Sequence, residues 1–503
     1  MVMALAALLL STAPALLAQD MASFEKRVKV ETLDNGLTLI VMERPEAPVF
    51  SFFIHVDAGS SQEPFGQSGL AHMFEHMAFK GTDVIGTTNY AEEKKALETV
   101  EATYRAYELE RRKLAGRDDA KVAALEKAWK DSIAAADKFV VKNEFGEIVD
   151  REGGVNLNAF TSNDETGYFY SFPANRIELW AYLESSRFLK PVMREFYKER
   201  DVVFEERRMR TESNPIGRLL EQFLAAAYTA HPYGRSGVGW PSDLSSYSAT
   251  DAQVFFDQYY VPSNMVVAVV GDVKAAEVSA LVKTYFGRIP KSPKPEPIRT
   301  VEPPQSCERT VVIKDKSQPF YLEGYHKPSA FDKDDAVYSV ISDLLSAGRT
   351  SRLYRSLVRD KKIAAAAGGL SNFPGDKYPN LFAFYAVPTP GHTPAEMQAA
   401  IREEIEKLKT ADMTADELSM VKTRAKANLI RGLANNQGLA IQLATAQDRF
   451  GDWREVFRQV DAIDKVSVAD VRRVANTTFV ETNRTVGIVE STKMATAPAG
   501  GQE

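Results

Sequence analysis

The chain has 503 residues, 44% of them apolar and 26% charged, the balance of a globular protein long enough for more than one domain. Its 62 basic and 68 acidic residues sum to −6 with no block of Lys or Arg, which argues against nucleic acid as the main ligand. A single cysteine, Cys307, excludes an internal disulfide, a cysteine zinc cluster and an iron–sulfur site, so any metal must be held by Asp, Glu or one of only six His.

Met1 to Leu17 is almost wholly apolar and is followed by Ala18-Gln19-Asp20. Residues 1–18 therefore read as a secretory signal peptide, since Pro14 interrupts the run and a spanning helix needs about 20 apolar residues. The expectation is export, to the periplasm if the source is Gram-negative. Residues 24–289 are expected to form the first domain, opening with the apolar β-type run Val49–Val56.

Gly69-Leu70-Ala71-His72-Met73-Phe74-Glu75-His76 follows. On a helix, His72 and His76 project from one face about one turn apart, the geometry for two nitrogens on one zinc ion. Glu75 lies on the adjoining face, where a carboxylate can take a proton from water as it attacks a carbonyl, without ligating the metal. This H-x-x-E-H order is the inverted zincin motif. Residues 90–141 are rich in Ala, Glu, Lys and Leu, with a break at Ala115-Gly116-Arg117-Asp118-Asp119, and predict a helical hairpin outside the metal site. Val155–Tyr170 alternates around turn residues and predicts a strand pair.

A zinc site with one open position needs a third protein ligand. His55, His231, His326 and His392 stand alone, and a lone His is more often structural. Glu199-Arg200-Asp201-Val202-Val203-Phe204-Glu205-Glu206 is a better source, because Glu199 and Glu206 share one helical face two turns apart. By spacing alone the two are equal candidates.

Between Pro290 and Pro304 six prolines predict an extended linker, taken as 290–306. Residues 307–491 repeat the first half's plan, with 492–503 as a flexible tail. Pro319–Tyr325 matches Val49–Val56 as an apolar strand. Helix, Asn and closing strand recur as Ala252–Tyr260, Asn264, Met265–Val270 and as Ala469–Thr477, Asn483, Thr485–Val489. The fold class expected is α+β, two similar halves of antiparallel sheet and helices joined by the Pro-rich linker.

His72-x-x-Glu75-His76 with Glu199-Arg-x-Val-x-x-x-Glu206 resembles the pitrilysin/insulinase family of zinc metallopeptidases, in the short bacterial form related to mitochondrial processing peptidase. Phe79-Lys80-Gly81-Thr82, Asn158-Ala159-Phe160-Thr161, His231-Pro232-Tyr233-Gly234 and Ser351-Arg352-Leu353-Tyr354 carry the resemblance along the mature chain. It implies one Zn2+ per chain on His72, His76 and Glu206, with Glu199 as supporting carboxylate and Glu75 as base. It also implies two halves around a clamshell chamber, and an edge strand at Asn158-Ala159 to which substrate adds as a further strand. The expected activity is a zinc-dependent endopeptidase acting on peptides or unstructured protein segments. The alternative is a non-catalytic structural or partner-binding subunit of the same fold. Two departures stand out. The helical hairpin separates His76 from Glu206 more widely than the family does. Where active members carry an Arg and a Tyr that bind the substrate carbonyl, this chain has Val358 and Ala365, with Arg359 and Tyr378 as possible stand-ins. The resemblance thus implies a homodimer or a heterodimer, the latter with a paralogue supplying the missing Arg/Tyr pair.

Overall fold

The computed structural model describes residues 21–492. The expected signal peptide, 1–18, and the tail beyond residue 492 lie outside the described residues.

The first half is built on six strands: β1 (Val28–Thr32), β2 (Thr38–Glu43), β3 (Val49–Val56), β4 (Val155–Thr161), β5 (Thr166–Pro173) and β6 (Met265–Gly271). They lie in the order β1-β2-β6-β3-β5-β4, antiparallel except for the parallel pair β2 and β6. The second half has β7 (Arg309–Asp315), β8 (Phe320–Lys327), β9 (Ala364–Phe373), β10 (Asn380–Pro388) and β11 (Arg484–Ser491), ordered β7-β11-β8-β10-β9. There β7 and β11 are the parallel pair. Without β1, the two sheets share one order and one set of directions, so the α+β duplication expected from the sequence holds. It extends to single side chains. Asn264 Nδ2 donates to the Asp57 and Tyr259 carbonyls, and Asn483 Nδ2 donates to those of His326 and Thr478.

β3 and β6 read as nearly unbroken apolar runs because both faces of the sheet are covered. One face carries the first half's own helices. The other is covered by a helix of the second half, Asn436–Phe450, whose Leu439, Ala440, Leu443 and Ala444 bury against Ile40, Phe53, Val266 and Ala268. The exchange is mutual. Helix Pro215–Ala227 of the first half packs Leu219, Phe223 and Leu224 against Ile313, Leu322 and Val489 of the second sheet. Each half therefore completes the other's core.

Charges fill the junction between the halves. His55 of β3 is fully buried between Glu165 (3.0 Å) and Asp448 (3.1 Å). Burial alone would pull its pKa down, but the two carboxylates outweigh it and push it up to about 10. Residues 290–306 run without regular structure over this junction. Glu302 accepts from the Thr229, Ala230 and His231 amides, and the Ile298 amide donates to the Tyr378 hydroxyl.

Candidate metal centre

The helix Leu70–Met77 buries Leu70, Ala71, Met73, Phe74 and Met77, which fixes the direction of its other face. Its N-terminus is tied down by Glu63, whose carboxylate accepts from the Gly69 and Ala71 amides, both at 2.8 Å. Gly69 has φ 88°, and a Cβ there would lie 2.4 Å from the Val238 carbonyl, so this entry turn demands glycine. The helix Phe196–Arg207 lies alongside and passes into a π-helical turn, Arg208–Glu212. Such wide turns occur often at functional sites.

Together the two helices bring His72, His76 and Glu206 to one point, with a ligand atom of each within 4.8 Å of the others. His72 Nε2 lies 3.4 Å from Glu206 Oε2, and His76 Nε2 lies 3.7 Å from Glu206 Oε1. Glu206 Oε2 is buried without a hydrogen-bond donor, as is His72 Nδ1 without a partner. Burial, with His76 and Arg210 adding to it, drives the His72 pKa down to about 3, so its imidazole is neutral and its lone pair free. Two imidazole nitrogens and a carboxylate oxygen without a hydrogen bond converging in a half-buried site are a donor set that fits a cation such as zinc.

Glu199, equal to Glu206 by spacing, stands elsewhere. Its Oε2 lies 3.3 Å from His76 Nδ1, behind the ring, and its other oxygen is ion-paired to Lys80. Burial pushes its pKa up, but the His76 and Lys80 contacts outweigh that and hold it below the usual carboxylate range. Glu75 accepts from Thr161 Oγ1 at 2.6 Å. Burial raises its pKa, with Glu206 adding to the rise and Thr161, His76 and Arg210 opposing it. With His76, Phe79, Lys80, Asn158 and Ala159, Glu75 lines a cavity of about 540 Å³. Asn158 and Ala159 belong to β4, the outermost strand, which pairs only with β5 among the described strands. Its register slips between Val155 and Asn158, where Asn156 has φ 60°.

Three neighbours of the site received no role from the sequence. Thr161 and Lys80 both sat in recognisable motif segments, and only the fold aims them at Glu75 and Glu199. Arg210, 3.5 Å from Glu206 Oε2, carried no signal at all. A second group of potential donors, His55, Asp57 and Asp448, also lies close together. Lys377 and Lys294 already neutralise those carboxylates, so a metal has no place there.

Residues 39–108 match the family described as Insulinase (Peptidase family M16), and residues 246–425 match the one described as Peptidase M16 inactive domain. A Helicobacter pylori protein named zinc protease PqqE is 31% identical over 471 residues, covering 90% of each chain. The chain belongs to peptidase family M16. Another relative, a probable mitochondrial-processing peptidase subunit beta of Arabidopsis thaliana, is 24% identical over 89% of this chain and 75% of its own. The crystal structure of a protease from Helicobacter pylori superposes with a TM-score of 0.76 at 28% identity, over 92% of this chain and 99% of that one. Glu199 and Glu206 fall between the two matched M16 stretches, and it is the fold that brings them to the His pair.

Two further expectations for this M16 chain can be located in the fold. The hairpin supplies no donor to the metal centre, as expected, but it packs on the helix that does. Its arms, Tyr90–Arg111 and Asp119–Ala136, bury Tyr104 and Trp129 against Tyr197 and Arg200 of the helix that carries Glu206. Glu93 and Arg194 form a fully buried ion pair across the same contact. Arg359 and Tyr378, the stand-ins for the missing pair, make other contacts within this chain. Arg359 is exposed and paired with its neighbour Asp360, while the Tyr378 hydroxyl takes the Ile298 amide. Val358 packs against the second half's core and Ala365 is exposed on β9.

Proposed function

We propose that this M16 chain is a zinc-dependent endopeptidase acting on peptides or unstructured protein segments. The observation that carries the reading is the Glu75 carboxylate, poised beside the His72, His76 and Glu206 donors in a cavity bordered by a free strand edge. Bound there, zinc supplies Lewis acidity that polarises a peptide carbonyl and lowers the pKa of water. Substrate adds to β4 at Asn158-Ala159 through main-chain hydrogen bonds, which holds an extended segment with little demand on its sequence. Glu75, kept in orientation by Thr161, accepts a proton from the attacking water. The water oxygen bonds to the carbonyl carbon, the C–N bond breaks, and Glu75 returns the proton to the leaving nitrogen. Its raised pKa suits both transfers.

The reading extends to export, with 1–18 as a cleaved signal and the periplasm as destination in a Gram-negative source. Among the described residues no helix is long and apolar enough to cross a membrane. Val358 and Ala365 favour a second reading, in which this chain works with a paralogue that supplies the Arg/Tyr pair. Losing an oxyanion donor typically costs about 100- to 1,000-fold in rate. Peptide turnover by the purified chain, with and without chelator and with and without that paralogue, tests both. Chelator-sensitive cleavage supports the peptidase. No cleavage in any arm leaves the non-catalytic subunit, and full activity from the lone chain refutes the two-subunit form.

A further inference from the structure

The ion pairs behind His76 continue out of the metal centre and into the hairpin insert. Glu199 holds His76 Nδ1 with one oxygen and Lys80 with the other. The Lys80 ammonium also reaches Glu195 Oε2 at 3.5 Å, and Glu195 Oε1 lies 3.4 Å from Lys198. Lys198 in turn pairs at 2.8 Å with Asp137, at the foot of the hairpin's second arm. Charge alternates at every step. Glu195 is one of four non-glycine residues at positive φ among the described residues, at 56°, a left-handed conformation that side chains disfavour. That turn points its carboxylate back between the two lysines.

The backbone that carries Lys80 is gripped from the hairpin as well. Arg194 pairs with Glu93 of the first arm at 2.5 and 2.8 Å. The same guanidinium donates to the Lys80, Thr82 and Ile85 carbonyls at 2.6, 3.0 and 3.1 Å. The loop closes so tightly that a Cβ on Gly86 would lie 2.6 Å from Arg194 Nη1 and 2.8 Å from the Lys80 carbonyl. A lysine that merely neutralised two surface carboxylates would need none of this scaffolding.

We infer that Lys80 is a positioning residue of the metal centre, fixing Glu199 and through it the His76 ring, and that the hairpin insert holds Lys80 in place through Glu93–Arg194 and Asp137–Lys198. The inference rests on the metal reading above and adds that the insert belongs to the site's scaffold. Partners that orient a ligating His typically set metal affinity by about 10- to 100-fold.

The test is chelator competition for zinc on the full chain, alongside thermal unfolding of the zinc-free protein. Lys80→Met should weaken zinc binding about 10- to 100-fold with the zinc-free melting temperature unchanged, and Lys80→Arg should recover part of the loss. Asp137→Asn, at the far end, should weaken binding by a smaller factor. Should Lys80→Met fail to fold, Glu195→Gln puts the same question and should weaken zinc several-fold. Wild-type affinity in Lys80→Met would overturn the positioning role, as would a loss matched by a fall in zinc-free melting temperature. Unchanged affinity in Asp137→Asn would overturn the link to the insert. A wild-type chain that binds no zinc would overturn the metal reading and this inference together.

Discussion

The two halves carry the same pair of helices in the same place and use them differently. In the first half the pair is Leu70–Met77 and Phe196–Arg207; in the second it is Asp335–Ser346 and Ala415–Gly432. The second pair also encloses a cavity, about 640 Å³, lined by Asp335, Ser339 and Asp343 from one helix face and by Val421, Ala425 and Asn428 from the other. Its acids are neutralised from within. Arg424 binds Asp343, Lys327 lies 3.6 Å from Asp335, and Arg449 lies 3.0 Å from Asp376. In the first half the Glu206 oxygen that faces the imidazoles has only the exposed Arg210, 3.5 Å away, and no hydrogen bond. The shared frame builds a hollow; whether the hollow can take a metal depends on how tightly its donors are already paired.

The comparison breaks hardest at Glu75. Glu75→Gln should lower peptide turnover by about 100- to 10,000-fold while zinc stays bound, because the base moves a proton and does not hold the ion. His72→Ala and Glu206→Gln should instead lose zinc as well as activity. Turnover by Glu75→Gln, or zinc retained at one per chain by Glu206→Gln, would each contradict the roles assigned, and elemental analysis beside a peptide assay reads both.

The exchanged helices predict a large effect that is alike in both halves. Phe223 lies against the second sheet where Gly324 and Gly487 leave room for its ring, and Leu443 is buried against the first. Phe223→Ala should cost about 3–5 kcal/mol and Leu443→Ala about 2–5 kcal/mol. Each should lower the melting of the whole chain, since either helix completes the other half's core. A variant in which one half unfolds well before the other would show the halves to be more independent than their packing implies.

Much of this was legible beforehand where the signal is local. H-x-x-E-H, the proline run and the recurring helix, Asn and strand depend on neighbours in sequence, and the fold has each where the pattern predicts it. What could not be read depends on meetings between distant segments. Spacing places Glu199 and Glu206 on one helical face but cannot tell which meets the imidazole edges and which stands behind a ring. The hairpin's composition predicts its two helices but not what they pack on, because the residues that decide it, Tyr104 and Trp129, are a minority among charged ones. His55 looked like a lone core histidine because Glu165 and Asp448 arrive from other elements.

The His55 contact yields a pH test of the junction. Its pKa rises from an ordinary 6.5 to about 10 in the fold, so the folded chain binds the extra proton more tightly than the unfolded one. The stabilisation is full below about pH 6.5 and is lost as pH rises towards 10. Denaturant midpoints should fall over that window in the wild type, and His55→Gln, less stable at pH 6.5, should fall less. Parallel curves for the two proteins would show that His55 does not carry its proton in the fold.

The smallest effect belongs to the second half's own helix pair, and it tests the comparison from the other side. Arg424 Nε donates to Asp343 at 2.9 Å, and both side chains are largely buried, at 23% and 17% exposure. Burial raises the Asp343 pKa against the pull of Arg424. Removing Arg424 alone therefore leaves a carboxylate in a poor environment, and Arg424→Met should cost about 1–3 kcal/mol. Removing both partners relieves that penalty, so Arg424→Met with Asp343→Leu should cost under about 1 kcal/mol. Neither variant should change zinc content or affinity, because the first half's donors depend on Glu199, Lys80 and the hairpin and on nothing in this pair. If zinc affinity fell in the double variant while its denaturant midpoint stayed near the wild type, the two cavities would be coupled, and the second half would be a working part of the metal centre.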